Sequence, residues 1–158
     1  MYNYKIKLKE CIGLIHQIQE IFLERISMLK FVGGIFYMTN GKKVKVVIIG
    51  ATGYVGIEIV RLLQGHPGVE ITSVIGQSFI GQKISDVYPH LKGIFDMECN
   101  SLDINSLPEK GDVFINCLPH GISKDFIPLL LEKGKKIIDH GGDFRYKKVE
   151  VYEKWYKT

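Results

Sequence analysis

The segment from Val44 to Leu63 constrains this chain more than any other. It reads VKVVIIGATGYVGIEIVRLL. A β-branched run (Val44, Val46, Val47, Ile48, Ile49) ends at Gly50, Gly53 and Gly56 follow, and an amphipathic helical pattern then begins. Strand, glycine turn and helix in that order form a corner able to grip the phosphates of a dinucleotide. Gly50 permits the sharp turn off the strand. Gly53 lets the backbone approach a pyrophosphate, and Gly56 lets the helix pack on the strand. The helix start offers unpaired N–H groups and a partial positive charge. The spacing is G-x-x-G-x-x-G rather than G-x-G-x-x-G. A plain strand-to-helix turn is the competing reading, because tight turns also select glycine.

Composition narrows the class. The length of 158 residues suits one domain, which commonly runs ~100–200 residues. Hydrophobic residues make up 46% and charged residues 24%, an ordinary globular balance. The net charge of +4 is mild and scattered, which argues against nucleic acid as a partner and slightly favours an anionic ligand. Cys11, Cys99 and Cys117 are far apart with no C-x-x-C, as in a reduced, cytoplasmic chain rather than a disulfide scaffold or zinc site. No uncharged apolar run reaches ~18 residues, so no membrane span is expected.

Residues 1–37 stand apart from the rest. Ile15, Ile18, Phe22, Ile26 and Leu29 recur at helical spacing, which predicts an amphipathic helix. A secretion signal lacks its clean apolar core and small-residue cleavage site. The plainer expectation is a mis-assigned start, with Met38 heading the polar lead Thr39-Asn40-Gly41-Lys42-Lys43 into the first strand. The domain expected to bind the dinucleotide is then 38–158.

From Lys43 onward strands and helices alternate. Strands are expected at 43–49, 69–75, weakly at 94–99, at 112–118 and at 136–139; helices at 54–64, from a Ser123 cap to Glu132, and around 149–156. This predicts an α/β fold with a doubly wound, mostly parallel sheet. Right-handed crossovers place the first and fourth strands side by side, and their C-terminal ends form the crevice where ligands bind. Leu118-Pro119-His120-Gly121 should therefore line the same cleft as Gly50–Gly56.

Other candidates sit at strand ends. After the second strand, Gly76-Gln77-Ser78 offers no acid for the ribose hydroxyls of NAD, while Gln77 and Ser78 could donate to a 2′-phosphate; a polar surface loop is the alternative. This favours NADP(H). Cys117 and His120 suggest a nucleophile pair, but Cys117 lies in an apolar run and reads as buried and inert. His120 is placed either beside a nicotinamide or as a turn histidine. Asp139, His140 and Asp143 follow no metal-site spacing, so no metal is expected and Asp143 should pair with Arg145 or with backbone N–H groups. Arg145 could hold a substrate carboxylate or phosphate. Tyr88 and Lys92 match Tyr-x-x-x-Lys formally, but lie too close to the glycine loop and flank Pro89, so the match is taken as chance.

Assembled, these pieces resemble the N-terminal part of the N-acetyl-gamma-glutamyl-phosphate reductase family. They are Gly50-Ala51-Thr52-Gly53-Tyr54-Val55-Gly56, Tyr88-Pro89-His90-Leu91-Lys92-Gly93, Leu118-Pro119-His120-Gly121, Asp143-Phe144-Arg145 and Val151-Tyr152-Glu153-Lys154-Trp155-Tyr156. The glycine loop is shared with aspartate-semialdehyde dehydrogenases; the others are more specific. The resemblance implies NADPH-dependent reduction of N-acetyl-glutamyl-5-phosphate to the semialdehyde in arginine biosynthesis, through a cysteine thioester, with a histidine as acid/base. It implies a small-molecule substrate, a homo-oligomeric full-length enzyme and no membrane partner. The family's nucleophile lies in an Asn-Pro-Gly-Cys segment that this chain does not contain. That cysteine and the acid/base histidine are both expected beyond Thr158, so no catalytic residue is expected within the chain. The expectation is a cofactor-binding part that is inactive by itself, ending in an aromatic stretch with nothing to cover it. Where relatives often carry Arg near the 2′-phosphate, this chain has Gln77. A non-catalytic NAD(P)-sensing module is the alternative.

Overall fold

The computed structural model describes residues 42–147 and 149–156, together with the backbone of β1 (Leu29–Val32) and β2 (Ile35–Met38). The chain divides into two units, 1–43 and 44–158. In the first, β1 and β2 pair antiparallel, Leu29 opposite Met38 and Val32 opposite Ile35. Gly33-Gly34 separates two runs rich in aromatic and β-branched residues, the composition of a two-residue hairpin connection. Leu29, the last position of the expected helical spacing, is thus in a strand, and Met38 is the last residue of β2. Ile15, Ile18, Phe22 and Ile26 lie outside the described residues. So does Thr158, the position beyond which the cysteine nucleophile and the acid/base histidine are expected.

The second unit is built on a five-stranded sheet. Its elements run β3 (Val44–Ile49), α1 (Tyr54–Leu63), β4 (Val69–Ile75), α2 (Ile84–Val87), β5 (Cys99–Asn100), β6 (Val113–Asn116), α3 (Ile127–Glu132), β7 (Lys136–Asp139) and α4 (Val149–Tyr156). The strands lie in the order β5-β4-β3-β6-β7, every neighbouring pair parallel. The chain moves outward from β3 through β4 to β5, then returns to lay β6 on the other side of β3. With right-handed crossovers this order winds helices onto both faces of the sheet and opens a crevice between the C-terminal ends of β3 and β6.

Burial follows from position. β3 is central, and every residue of it except Lys45 is buried, as a parallel strand covered on both faces requires. Ile57, Ile59, Val60 and Leu63 form the buried side of α1. Val47, Ile49, Ile75, Phe114, Leu118, Phe126, Ile127 and Leu130 form one continuous core cluster. Burying a side chain of this size is worth ~1.5–3 kcal/mol relative to exposure, and this sets where the sheet and helices meet.

Some expected bounds shift. The weak strand at 94–99 shrinks to Cys99–Asn100, because Ile94 and Phe95 donate their N–H groups to the Leu91 carbonyl and finish a helical turn. The strand expected at 112–118 is Val113–Asn116; Cys117 still donates to the Ile49 carbonyl (2.7 Å) before Pro119 ends the run. Ser123 does not cap α3. It opens a short 3-10 turn (Ser123–Asp125), and its hydroxyl is taken by Asp143. α3 starts after Phe126, with no side-chain cap.

Candidate dinucleotide site

The glycine corner is shaped by backbone contacts. Gly50 has φ of +84°, and a Cβ there would meet the Cys117 carbonyl carbon at 2.8 Å. A Cβ on Gly56 would collide with the Gly50 carbonyl oxygen and reach the Ala51 Cα at 2.7 Å. Both glycines are therefore demanded by the fold itself. Gly53 differs. Its φ of −87° suits any residue, and a Cβ would touch only the Gly50 carbonyl oxygen at an ordinary 3.4 Å. Among the described residues nothing requires glycine here, whereas a phosphate brought against the loop would.

The loop is tied down on both sides. The N–H groups of Gly50 and Ala51 donate to the Ile75 carbonyl at 2.7 and 2.9 Å. Gly53 N–H donates to the Gly50 carbonyl (3.1 Å), and Ile57 N–H donates to the Gly53 carbonyl (2.9 Å) as the first bond of α1. Among the described residues, the N–H groups of Tyr54, Val55 and Gly56 have no partner, as the first turn of a helix leaves them. No acidic side chain lies in that turn, and Tyr54 is 95% exposed. Free donors and the helix dipole together make this corner fit the phosphates of a dinucleotide.

The end of β4 faces the same loop. A Cβ on Gly76 would meet Thr52 Oγ1 and the Ser78 carbonyl oxygen, both at 3.0 Å, so the strand end and the glycine loop lie in contact. Gln77 and Ser78 are exposed there. Phe79 follows with φ of +60°, an uncommon conformation for a side-chain-bearing residue. The turn is tied to β5 on either side, before it by Gly76 N–H donating to the Asn100 carbonyl and after it by Gly81 and Gln82 exchanging backbone hydrogen bonds with Cys99. Tyr88 reaches the loop too, its hydroxyl donating to the Thr52 carbonyl at 2.6 Å. The Tyr88-x-x-x-Lys92 pair thus has its phenol engaged with the loop, and Lys92 is exposed.

At the other side of the crevice, side chains do the holding. Asn116, fully buried at the end of β6, donates to Asp139 Oδ1 (2.7 Å) and accepts from Leu118 N–H (3.2 Å). Asp139 Oδ1 also accepts from Gly141 N–H (2.8 Å), while Oδ2 is buried without a hydrogen bond. Four residues on, Asp143 accepts from Gly121 N–H at 2.7 and 2.8 Å, from the Ser123 hydroxyl at 2.7 Å and from the Tyr152 hydroxyl at 2.6 Å. Burial alone pushes the Asp143 carboxyl up, but the bonds from Tyr152, Gly121 and Ser123 outweigh it and hold it below the usual carboxylate range. Leu118-Pro119-His120-Gly121 is therefore pinned at its two ends, at Leu118 by Asn116 and at Gly121 by Asp143.

His120 is exposed, and its ring lies 4.8 Å from that of Tyr156. Tyr156 stacks on Tyr152 at 4.8 Å and packs so tightly on Gly142 that a Cβ there would displace its ring. In the aromatic stretch expected to lie uncovered, Tyr152 and Tyr156 are half-buried against the Asp143 turn, Trp155 is exposed, and no residue of α4 is fully buried. A groove of about 280 Å³ opens beside them, lined by Lys124, Phe144, Tyr146, Val149 and Tyr152. Arg145 is exposed and Asp143 makes no ion pair with it; the carboxylate is taken by uncharged donors. Asp139 and Asp143 serve separate loops, and among the described residues no cluster is arranged to hold a metal ion. Burial, with the Asp139 carboxylate adding to it, pushes the Cys117 thiol up to about 12, so it carries no thiolate at neutral pH.

The crevice thus brings Gly50–Gly56, Gln77, Ser78 and Leu118–His120 to the C-terminal ends of neighbouring strands, with Arg145 on the turn beyond β7. The holding roles of Tyr88, Asn116, Asp139 and Tyr152 were not read from the sequence. Asn116 carried a signal, as the one polar side chain in an apolar strand.

Strand order and glycine corner together define a dinucleotide-binding domain of the open parallel-sheet class. More narrowly, the chain belongs to the semialdehyde dehydrogenase NAD-binding domain family, whose model matches residues 45–154. It is 68% identical over 111 residues to an N-acetyl-gamma-glutamyl-phosphate reductase of Acetivibrio thermocellus, covering 70% of this chain and 32% of that protein. A reductase of the same name from Desulforudis audaxviator is 46% identical over 115 residues, covering 73% and 33%. The chain therefore spans about a third of the length of these curated relatives. Among solved structures, the aspartate semialdehyde dehydrogenase with NADP from Candida albicans superposes with a TM-score of 0.58 at 23% identity, over 68% of this chain and 32% of that one, a likeness of fold.

Proposed function

We propose that this chain is the dinucleotide-binding part of an N-acetyl-gamma-glutamyl-phosphate reductase, a cytoplasmic enzyme of arginine biosynthesis that reduces N-acetyl-glutamyl-5-phosphate to its semialdehyde with NADPH. The observation that carries this reading is the 68% identity over 111 residues to the Acetivibrio thermocellus reductase. The bound dinucleotide supplies the hydride. This chain's residues bind and orient it: the N–H groups of Tyr54, Val55 and Gly56 take the pyrophosphate against Gly53, and Leu118, Pro119 and His120 flank the nicotinamide end.

NADP(H) is favoured over NAD(H) because no acid stands at the end of β4, where Gln77 and Ser78 are free to meet a 2′-phosphate. Arg145 is exposed on the turn after β7 and suits a substrate carboxylate or phosphate. Residues 1–37 are an extension outside the dinucleotide unit, a reading supported by the family match beginning at residue 45. The family's cysteine chemistry does not fall to Cys117, whose partly buried thiol just past the end of β6 is held protonated. The nucleophile and the acid/base histidine are assigned to the part of the full-length enzyme beyond Thr158, a reading supported by the chain's spanning only a third of its relatives. The full-length enzyme is taken to be a homo-oligomer.

The test is titration of the 158-residue chain with NADPH and NADH, followed by assay with N-acetyl-glutamyl-5-phosphate. Saturable binding tighter for NADPH, with no turnover, is the expected result. Equal affinity for both would remove the NADP preference, and no binding of either would overturn the assignment of the site. Turnover by the chain itself would remove the assignment of the chemistry to residues beyond Thr158.

A further inference from the structure

We infer that Tyr88 is a positioning residue for the glycine loop, acting through the Thr52 carbonyl to keep the phosphate-binding N–H groups free. The inference rests on the reading of this corner as a dinucleotide site. The peptide between Thr52 and Gly53 is locked at both ends: its carbonyl accepts the Tyr88 hydroxyl (2.6 Å), and its N–H donates to the Gly50 carbonyl (3.1 Å). In a continuing helical turn, the Thr52 carbonyl would be the partner of Gly56 N–H, four residues on. Turned toward Tyr88, it makes no such bond, and Gly56 N–H stays available beside those of Tyr54 and Val55.

The sequence around Tyr88 is suited to this reach. Pro89 disfavours helical backbone at the residue before it, so α2 stops at Val87 and Tyr88 takes φ −123° and ψ +86°. Its backbone remains fixed, with N–H donating to Ile84 (2.8 Å) and carbonyl accepting from Leu91 (2.9 Å). Ile84 and Leu91 are both buried, which anchors the segment on either side. Beyond it, the Ile94 carbonyl accepts from Gln64 Nε2 (3.1 Å) at the far end of α1. One segment thus braces α1 at its start and at its finish. The hydroxyl of Tyr88 adds nothing to the core; what it holds is the orientation of a single peptide in the phosphate loop.

The experiment compares the full chain with its Tyr88→Phe variant, which keeps the ring and removes the hydroxyl. Two probes are titrated: NADPH, and adenosine 2′-monophosphate, which lacks the pyrophosphate. Loss of one hydrogen bond's orienting effect predicts NADPH affinity about 5- to 10-fold weaker in the variant, with adenosine 2′-monophosphate affinity unchanged. Amide NMR spectra should stay dispersed, with shifts concentrated at Gly53, Tyr54, Val55 and Gly56. Equal NADPH affinity in both proteins, or an equal loss for both probes, overturns the inference while leaving the dinucleotide site standing. A wild-type chain that binds neither probe removes the site and this inference with it.

Discussion

The two sides of the crevice are built by opposite means. At the β3–α1 corner the shape is made by leaving side chains out: Gly50 and Gly56 sit where any Cβ would strike the backbone of Cys117 or Gly50. At the β6–β7 side the shape is made by putting polar side chains in: Asn116 bonds Asp139 twenty-three residues on and takes the Leu118 N–H, while Asp143 takes the Gly121 N–H twenty-two residues back. A loop defined by steric exclusion tolerates no added volume but has no charge dependence. A loop defined by carboxylates tolerates small changes in volume and depends on the state of those carboxylates.

The sharpest way to break this comparison is Gly56→Ala. The new Cβ meets the Gly50 carbonyl oxygen and the Ala51 Cα, both backbone atoms, so the corner itself must shift to admit it. The unfolding free energy is expected to fall by about 3 kcal/mol, at the upper end for overpacking. Urea denaturation measures it. A loss well under ~1 kcal/mol would mean that the corner relaxes and that steric exclusion is not what shapes it.

Next in size is Asp143→Ala, which strips the acceptor from Gly121 N–H, the Ser123 hydroxyl and the Tyr152 hydroxyl. Unmade bonds of this kind cost ~1–3 kcal/mol in all when water reaches some of the donors. The pH dependence identifies the charge. The Asp143 carboxyl is depressed in the folded chain, so its contribution is fully present above the ordinary carboxylate range and is lost as pH falls below about 4. The wild-type chain should therefore lose more stability than the alanine variant on acidification through that window. Parallel decline of the two would show that Asp143 contributes packing rather than charge.

This contrast explains what could be read from the sequence. The strand order and the glycine corner were legible because local rules fix them: β-branched runs, alternating elements and glycines at a strand-to-helix turn. The same local reasoning failed at Ser123, which has the composition of a helix cap yet bonds Asp143, a residue twenty positions away. It also failed at Leu29, where helical spacing ran into a strand because the aromatic and β-branched residues around Gly33-Gly34 favour a hairpin. Tyr88 was visible as part of a motif, but no spacing rule connects it to Thr52. Long-range side-chain bonds leave no periodic trace, so the carboxylate-built side of the crevice emerges only from the fold.

Gly53 gives the smallest effect on stability and the finest test of the comparison. It lies in the sterically built corner, yet the fold does not require it: its backbone angles suit alanine, and the nearest atom to a new Cβ is at 3.4 Å. Gly53→Ala should therefore leave the urea midpoint nearly unchanged, within about 0.5 kcal/mol. Its cost should appear only when a phosphate is pressed against the loop, as a roughly tenfold or greater loss of NADPH affinity, equivalent to about 1.4 kcal/mol. Affinity for adenosine 2′-monophosphate should hold. If Gly53→Ala instead unfolds the chain, the third glycine belongs with the other two as a fold requirement, and its presence says nothing about a ligand. If it changes neither stability nor NADPH binding, the pyrophosphate does not approach the corner at this residue.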